Sequence, residues 1–97
     1  MVEHMVLFKL KPEATEEQRE AMLRALRELG TQVPGIVEIS CGVNFSDRNQ
    51  GYSVGLVVKF VDRAALDAYG PHPAHRGVVE NFIRPINADT IVVDYEI

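Results

Sequence analysis

The chain has 97 residues, a net charge of −4 with its histidines neutral, and a single cysteine. Its length predicts one domain, and its apolar fraction of 46% and charged fraction of 25% are those of a soluble globular protein. Basic residues are scattered among acids, which argues against nucleic-acid binding. One cysteine excludes an internal disulfide framework, and no apolar stretch has the length of a membrane span. We therefore expect a cytoplasmic protein with no nucleic-acid or membrane partner.

Periodicity predicts an alternation of strands and helices along the whole chain. The alternating residues 2–10 indicate a strand rather than a signal peptide, and Thr15 begins a capping-box pattern. Asp62 caps a second helix, which Gly70 interrupts. The predicted elements are a strand at 2–10, a helix from Thr15 to Gly30 or slightly beyond, strands at 36–43 and 52–60, helices at 63–69 and 73–84, and a strand at 88–97.

This order is βαββαβ with a divided second helix, which predicts an α+β fold in one domain over 1–97. The pattern is that of the ferredoxin-like plait, a four-stranded antiparallel sheet with helices on one face. The second face should be polar in a monomer. Instead, strand four offers Ile91, Val93 and Tyr95 there, and strand one offers Met5 and Leu7. We therefore expect a homodimer that packs sheet against sheet in a barrel-like interface.

Two of the three histidines lie in the segment YGPHPAHRG. Pro73 suits the first position of a helix, which makes His72 the cap and places His75 in the first turn. Apolar residues three, four and seven positions later put His75 on the stripe that faces the sheet. A helix N-terminus lowers the pKa of an imidazole and keeps it neutral, as a general base requires. The alternative is a half-buried core histidine bonded to a backbone carbonyl.

His75 has two candidate neighbours on the strands. His4 shares a face of strand one with Phe8, and Asp94 shares a face of strand four with Val92. If these faces turn toward the helices, the three polar side chains converge on one cavity. An unpaired buried carboxylate is costly. We therefore expect Asp94 to be largely buried and to hold the imidazole of His75 or His4.

The predicted cavity lies between the sheet and the helices. Tyr69 ends the short helix and is placed to direct its hydroxyl into this space; the alternative is core packing with a satisfied hydroxyl. Few polar groups are available to orient a substrate there. We expect the substrate-binding wall to consist of Val6, Phe8, Leu26, Leu56 and Val78.

A metal site is the competing interpretation of the histidines, because zinc and iron accept imidazole and carboxylate ligands. However, His72 and His75 are three residues apart across a helix cap, and the chain has no HExxH motif or cysteine pair. We expect no transition metal and no cofactor. The sequence does not decide whether a hard cation such as magnesium binds near a dimer interface. Cys41, in mid-strand, is expected to be a small buried hydrophobe.

Four segments of the chain form a recognisable set: HMVLFKLKPEAT, GYSVGLVVKF, the Y-x-x-HPAH segment at 69–75 and the closing VVDYEI. In these segments the chain resembles the Dabb family, the stress-responsive dimeric α/β-barrel domains. It implies a dimer of plaits, often with the last strand reaching toward the partner, and a hydrophobic cavity between sheet and helices. The resemblance also implies the chemistry of the family's plant polyketide cyclases, a cofactor-free aldol cyclisation.

Carried over by motif position, the catalytic roles of those cyclases fall on four residues of this chain. The base is His75, and the other members are Tyr69, His4 and a supporting Asp94. Leu26 stands where such a cyclase has a pocket tyrosine, a departure that bears on the substrate. Three hypotheses follow. The chain is a cofactor-free enzyme of lyase, cyclase or isomerase type acting on a carbonyl or phenolic compound, a module that binds an apolar ligand, or a non-catalytic stress-related homodimer.

Overall fold

The computed structural model describes residues 1–97 and contains one four-stranded antiparallel sheet. Its elements are β1 (Val2–Leu10), α1 (Glu16–Gln32), β2 (Ile36–Val43), β3 (Tyr52–Phe60), α2 (Arg63–Tyr69), α3 (Pro73–Val78), a π-helical segment (Val79–Ile83) and β4 (Asn87–Glu96). The strands are ordered β2-β3-β1-β4, and the helices pack on one face. This is the predicted βαββαβ ferredoxin-like plait, so the expected fold class is confirmed.

Helix α1 begins at a capping box. The backbone N–H of Gln18 donates to the Thr15 hydroxyl at 3.1 Å, and the backbone N–H of Thr15 donates to the Gln18 side chain at 2.9 Å. Together they satisfy two of the amides that a helix start leaves free. The apolar side of α1 then covers the sheet, with Met22, Leu23, Leu26 and Leu29 almost fully buried.

The core lies between the helices and the inner face of the sheet. Its buried residues are all apolar except for the hydroxyl of Tyr69. Alternate residues of β3 form its centre, because successive strand residues point to opposite faces. The inner face of β1 carries His4 in the same row as the buried Val2, Val6 and Phe8. Strand alternation thus places a histidine at the edge of an apolar core.

The opposite surface, which we call the outer sheet face, is apolar as predicted. It consists of Met5, Leu7, Val57, Ile91, Val93 and Tyr95, which are 37% to 50% exposed. The strand register makes the patch continuous, since Met5 pairs with both Val57 and Val93 and Leu7 pairs with Ile91. A continuous apolar patch of this kind is unusual on a monomeric protein. No helix of the chain is both long and apolar enough to cross a membrane.

The last helical stretch differs from the single regular helix predicted over 73–84. Helix α3 ends at Val78, and the next five residues form a π-helical segment. A π-helix inserts an extra residue per turn and rotates the side chains that follow. Phe82, expected on the sheet-facing stripe, is therefore 38% exposed, while Ile83 is buried.

Candidate active site

A cavity of about 450 Å³ lies between the inner sheet face and the segment that runs from α2 to β4. Four of the residues expected in its wall, Val6, Phe8, Leu26 and Leu56, line it. Val78 does not; it borders a separate depression next to α1. This corrects the sequence-based expectation, because Val78, three residues after His75, lies on the side of α3 that faces α1, whereas Val79, four residues after His75, faces the cavity. Val79 and Ile83 take the expected place of Val78 in the wall.

His75 lines the cavity and is partly buried. Its Nδ1 lies 3.0 Å from the carbonyl oxygen of Gly70. A carbonyl can only accept, so Nδ1 carries the proton and Nε2 of the neutral ring keeps a free lone pair. Burial lowers the pKa of His75, and the charges of His4 and His72 lower it further, against the opposing effect of the Gly70 carbonyl. Burial therefore favours the neutral state of His75 that the sequence predicted.

His4 lines the same cavity and is held by Asp94. Its Nδ1 lies 2.5 Å from a carboxylate oxygen of Asp94, the residue directly opposite it on β4. The carboxylate accepts, which leaves Nε2 of His4 as the ring atom available to a ligand. The His4 side chain is only 13% exposed, whereas that of Asp94 is 43% exposed.

The expectation that Asp94 is largely buried is therefore wrong. Strand β4 is at the edge of the sheet, so its side chains have a neighbouring strand on one side only. Asp94 does not belong to the cavity wall; it contacts the wall through His4. The partner of Asp94 is His4 and not His75.

Tyr69 packs between the two imidazoles. Its ring centroid is 4.1 Å from that of His75 and 5.9 Å from that of His4. Tyr69 is 3% exposed, and its hydroxyl has no hydrogen-bond partner in the protein. Burial raises the pKa of Tyr69 to about 12, with a smaller contribution from Cys41. The hydroxyl therefore remains a protonated donor, and leaving it unpaired costs about 1 to 3 kcal/mol.

The other end of the cavity contains polar residues that the sequence did not single out. Arg84, Asn87 and Thr90 line it. Arg84 is the one residue of the wall with a fixed charge, and no carboxylate belongs to the wall. The turn that follows the π-helical segment brings Arg84 and Asn87 there, and no spacing motif in the sequence marks them.

The remaining candidates lie outside this cavity. The ring of His72 caps α3 by accepting from the backbone N–H of Ala74 at 3.0 Å. No group of three or more His, Cys, Asp or Glu side chains is placed to hold a metal ion. Cys41 is partly buried beside the core, its Sγ 3.5 Å from the carbonyl oxygen of Leu23, and burial raises the pKa of its thiol.

The fold and the sequence place this chain in a known protein family. The chain is a member of the Dabb family, described as the stress responsive A/B barrel domain, and the family match covers residues 2–97. Among curated relatives, it is 30% identical to olivetolic acid cyclase from Cannabis sativa over an alignment of 78 residues that covers 78% of this chain and 77% of that protein.

Solved structures show the same architecture. A dimeric ferredoxin-like protein of unknown function from a Jannaschia species has a TM-score of 0.77 and 30% identity, covering 99% of this chain and 98% of that one. Hydroxynitrile lyase from Passiflora edulis has a TM-score of 0.85 at 19% identity, covering 97% of this chain and 90% of that one. The second likeness concerns the fold alone.

Proposed function

We propose that this Dabb-family chain is a cofactor-free acid–base enzyme that acts on a small carbonyl or phenolic compound in the cavity. The observation that carries the proposal is the pairing of a neutral His75, whose Nε2 is free, with a second oriented imidazole, His4, in the wall of one apolar cavity. Two imidazoles whose tautomers are fixed by hydrogen bonds are suited to transferring protons to and from a ligand.

His75 is the proposed general base. A neutral imidazole with its Nδ1–H engaged by Gly70 can accept a proton only at Nε2. The lowered pKa of His75 keeps the base form populated at neutral pH. In the proposed step, Nε2 removes a proton from a carbon next to a carbonyl, or from a phenolic hydroxyl, and the electron pair moves to the ligand oxygen.

The developing oxyanion needs donors, and two side chains are proposed to supply them. In its imidazolium form, His4 donates from Nε2 while its Nδ1–H stays bonded to the carboxylate of Asp94. Tyr69 has a protonated hydroxyl without a partner, so a ligand oxygen that reached it would replace no existing hydrogen bond. Collapse of the resulting enolate by carbon–carbon bond formation, bond cleavage or reprotonation corresponds to cyclase, lyase or isomerase chemistry.

The relatives are consistent with this class of reaction. One of them, at 30% identity, is named a cyclase. Val6, Phe8, Leu26 and Leu56 make the wall that would surround the substrate. Leu26 and Leu56 present only hydrocarbon, so substrate orientation falls to the polar groups at the two ends of the cavity.

We also propose that the protein acts as a cytoplasmic homodimer joined through the outer sheet face. The continuous apolar patch across β1, β3 and β4 supports this interface, and the Jannaschia structure is described as dimeric. The cavity is on the opposite side of the sheet from this patch. Each protomer would therefore keep its own site.

The enzyme proposal can be tested without knowledge of the natural substrate, by following the exchange for deuterium of hydrogens on a carbon next to a carbonyl. Phenylacetone in deuterium oxide exchanges the hydrogens next to its carbonyl when a base forms the enolate, and NMR follows the loss of signal. We expect the wild-type protein to accelerate exchange and His75→Ala to reduce the acceleration by about 10²-fold or more.

His72→Asn is the matched control, because it removes a histidine outside the cavity and retains a side chain suited to an N-cap. It should leave exchange unchanged. Exchange at the buffer rate, or acceleration that persists in His75→Ala, contradicts the enzyme proposal. Phenylacetone binding without exchange would instead favour a ligand-binding module.

A further inference from the structure

The two ends of the cavity differ in chemistry. His4, Tyr69 and His75 gather at one end, and Arg84, Asn87 and Thr90 at the other, with apolar side chains such as Val6 and Val92 between them. The protein carries a net charge of −4, yet the fixed charge in the cavity wall is positive. A cavity that opposes the overall charge of its protein favours a ligand with a negative group.

The strand register sets the separation of the two ends. His4 lies opposite Asp94, and Phe8 lies opposite Thr90, four residues further along β1. Four residues of an antiparallel strand span about 13 Å. A ligand that contacts both ends must therefore be elongated, with an apolar middle part.

At the end of the cavity formed by Arg84, Asn87 and Thr90, Arg84 is the residue with hydrogen-bond donors available to a ligand. Asn87 and Thr90 are hydrogen bonded to each other at 2.8 Å. In the amide orientation that satisfies its surroundings, Asn87 also donates to the backbone carbonyls of Lys9 and Asp89. By contrast, Arg84 contacts Glu80 through one nitrogen, at 2.6 Å. A guanidinium has five N–H donors, so several remain for a ligand.

We infer that the cavity takes an elongated apolar molecule with a carboxylate at the end opposite its reacting carbonyl, and that Arg84 binds this carboxylate. The planar guanidinium matches a carboxylate through parallel hydrogen bonds. Glu80 lies outside the wall and holds one nitrogen of Arg84 at 2.6 Å, which restricts the guanidinium while leaving its other N–H groups for a ligand. This inference rests on the proposed function, since it assigns the substrate class of the same site.

Two matched probes test it by isothermal titration calorimetry. Phenylbutyrate carries a carboxylate, and phenylbutanol has the same skeleton with a neutral hydroxyl. We expect wild-type protein to bind phenylbutyrate about fivefold more tightly, the effect of one solvent-accessible charged contact. Arg84→Gln should abolish this preference and leave phenylbutanol binding within about twofold.

Arg76→Gln is the control, because it removes the same charge from an exposed residue of α3 outside the cavity wall. It should keep the preference, and Arg84→Lys, which keeps the charge but loses the planar fork, should retain part of it. Amide signals of Ile83 and Thr90 in NMR spectra should shift with phenylbutyrate.

Equal affinity for the two probes, or a preference that survives in Arg84→Gln, overturns the carboxylate inference and leaves the acid–base proposal intact. If the protein accelerates phenylacetone exchange but does not prefer phenylbutyrate to phenylbutanol, the carboxylate inference is likewise overturned and the acid–base proposal stands. If neither probe binds and phenylacetone does not exchange, the proposed function itself fails, and the carboxylate inference fails with it.

Discussion

The two cavity histidines are held by different oxygen acceptors, and this difference separates their proposed roles. His75 donates from Nδ1 to the uncharged carbonyl of Gly70, whereas His4 donates from Nδ1 to the carboxylate of Asp94. A carboxylate can compensate a positive ring, and a carbonyl does so less well. We therefore propose that His75 accepts the proton and that His4, oriented by Asp94, supports the ligand oxygen.

The lowered pKa of His75 predicts a pH dependence of stability. The unfolded chain binds a proton at this residue near the ordinary value of about 6.5, whereas the folded chain does so only at lower pH. His75 therefore contributes stability that is complete above this value and is lost as the pH falls toward the folded pKa. Urea unfolding at about pH 7.5 and about pH 5.5 should show a smaller acid loss for His75→Asn than for wild type.

His72→Asn is the control for this measurement, since it removes a histidine that caps α3 outside the cavity. It should keep the acid loss contributed by His75. Identical acid losses in wild type and His75→Asn would show that burial does not perturb this imidazole.

Asp94 predicts a second residue-level effect. Asp94→Asn removes the charge beside His4, so we expect slower phenylacetone exchange by about tenfold or more, through loss of the fixed tautomer. Because Asp94 is exposed on an edge strand, the fold should not change. Nitrogen NMR of the His4 ring should report a changed tautomer. Asp89→Asn, an exposed change on the same strand outside the cavity wall, should alter neither readout.

At the scale of elements, the strands were predictable because alternation fixes which side chains share a face. His4 and Phe8 share a face of β1 because of this alternation. His4 lies opposite Asp94 because an apolar inner row holds the register of β1 and β4. The same reasoning could not foresee the π-helical segment, because the apolar residues at 78, 79, 82 and 83 fit a regular helix as well. The π-helical segment explains the exposure of Phe82, but Val78 precedes it and lies in α3 on the side that faces α1.

Arg84 shows a further limit of sequence reasoning. Its position depends on the turn between the π-helical segment and β4, and turns place side chains by local geometry rather than by periodicity. Likewise, the exposure of Asp94 follows from the lateral order of the strands, which the apolar pattern of β4 does not reveal. His4 and Asp94 in predicted strands could be grouped, while Arg84 in a turn could not.

The turn after α1 makes a stability prediction. Gly35 has a φ of +89°, and a Cβ added there would lie 2.5 Å from the Cβ of Ala65 in α2. Gly35→Ala should lower the free energy of unfolding by about 2 to 4 kcal/mol, since it combines a left-handed backbone with a clash.

Gly77 in α3 is the matched comparison, because nothing lies within 4 Å of its added Cβ. Gly77→Ala should raise the free energy of unfolding by about 0.5 to 1 kcal/mol through helix propensity. Chemical denaturation of the two variants gives both values. Equal effects of the two substitutions would contradict the steric account of Gly35.

At the scale of the whole molecule, the two faces of the sheet differ in what covers them. The inner face supports the core and the cavity, while the outer sheet face leaves side chains such as Met5, Leu7 and Val93 in contact with water. Transfer of apolar surface out of water contributes about 25 cal/mol per Å². A second copy has the same apolar face and can cover this one by a twofold operation, which a sheet-to-sheet dimer achieves with a single interface.

The last prediction tests this assembly with two substitutions at valines of almost equal exposure. Val93 on the outer sheet face is 50% exposed, and Val61 in the turn after β3 is 51% exposed. In sedimentation at micromolar concentration, wild type and Val61→Asp should have twice the 10.8 kDa mass of one chain. Val93→Asp should sediment as a monomer or lose solubility, because it would bury an unpaired carboxylate in the interface. A wild-type protein that sediments only as a 10.8 kDa species, or a Val93→Asp variant that remains dimeric, would rule out an interface through this face.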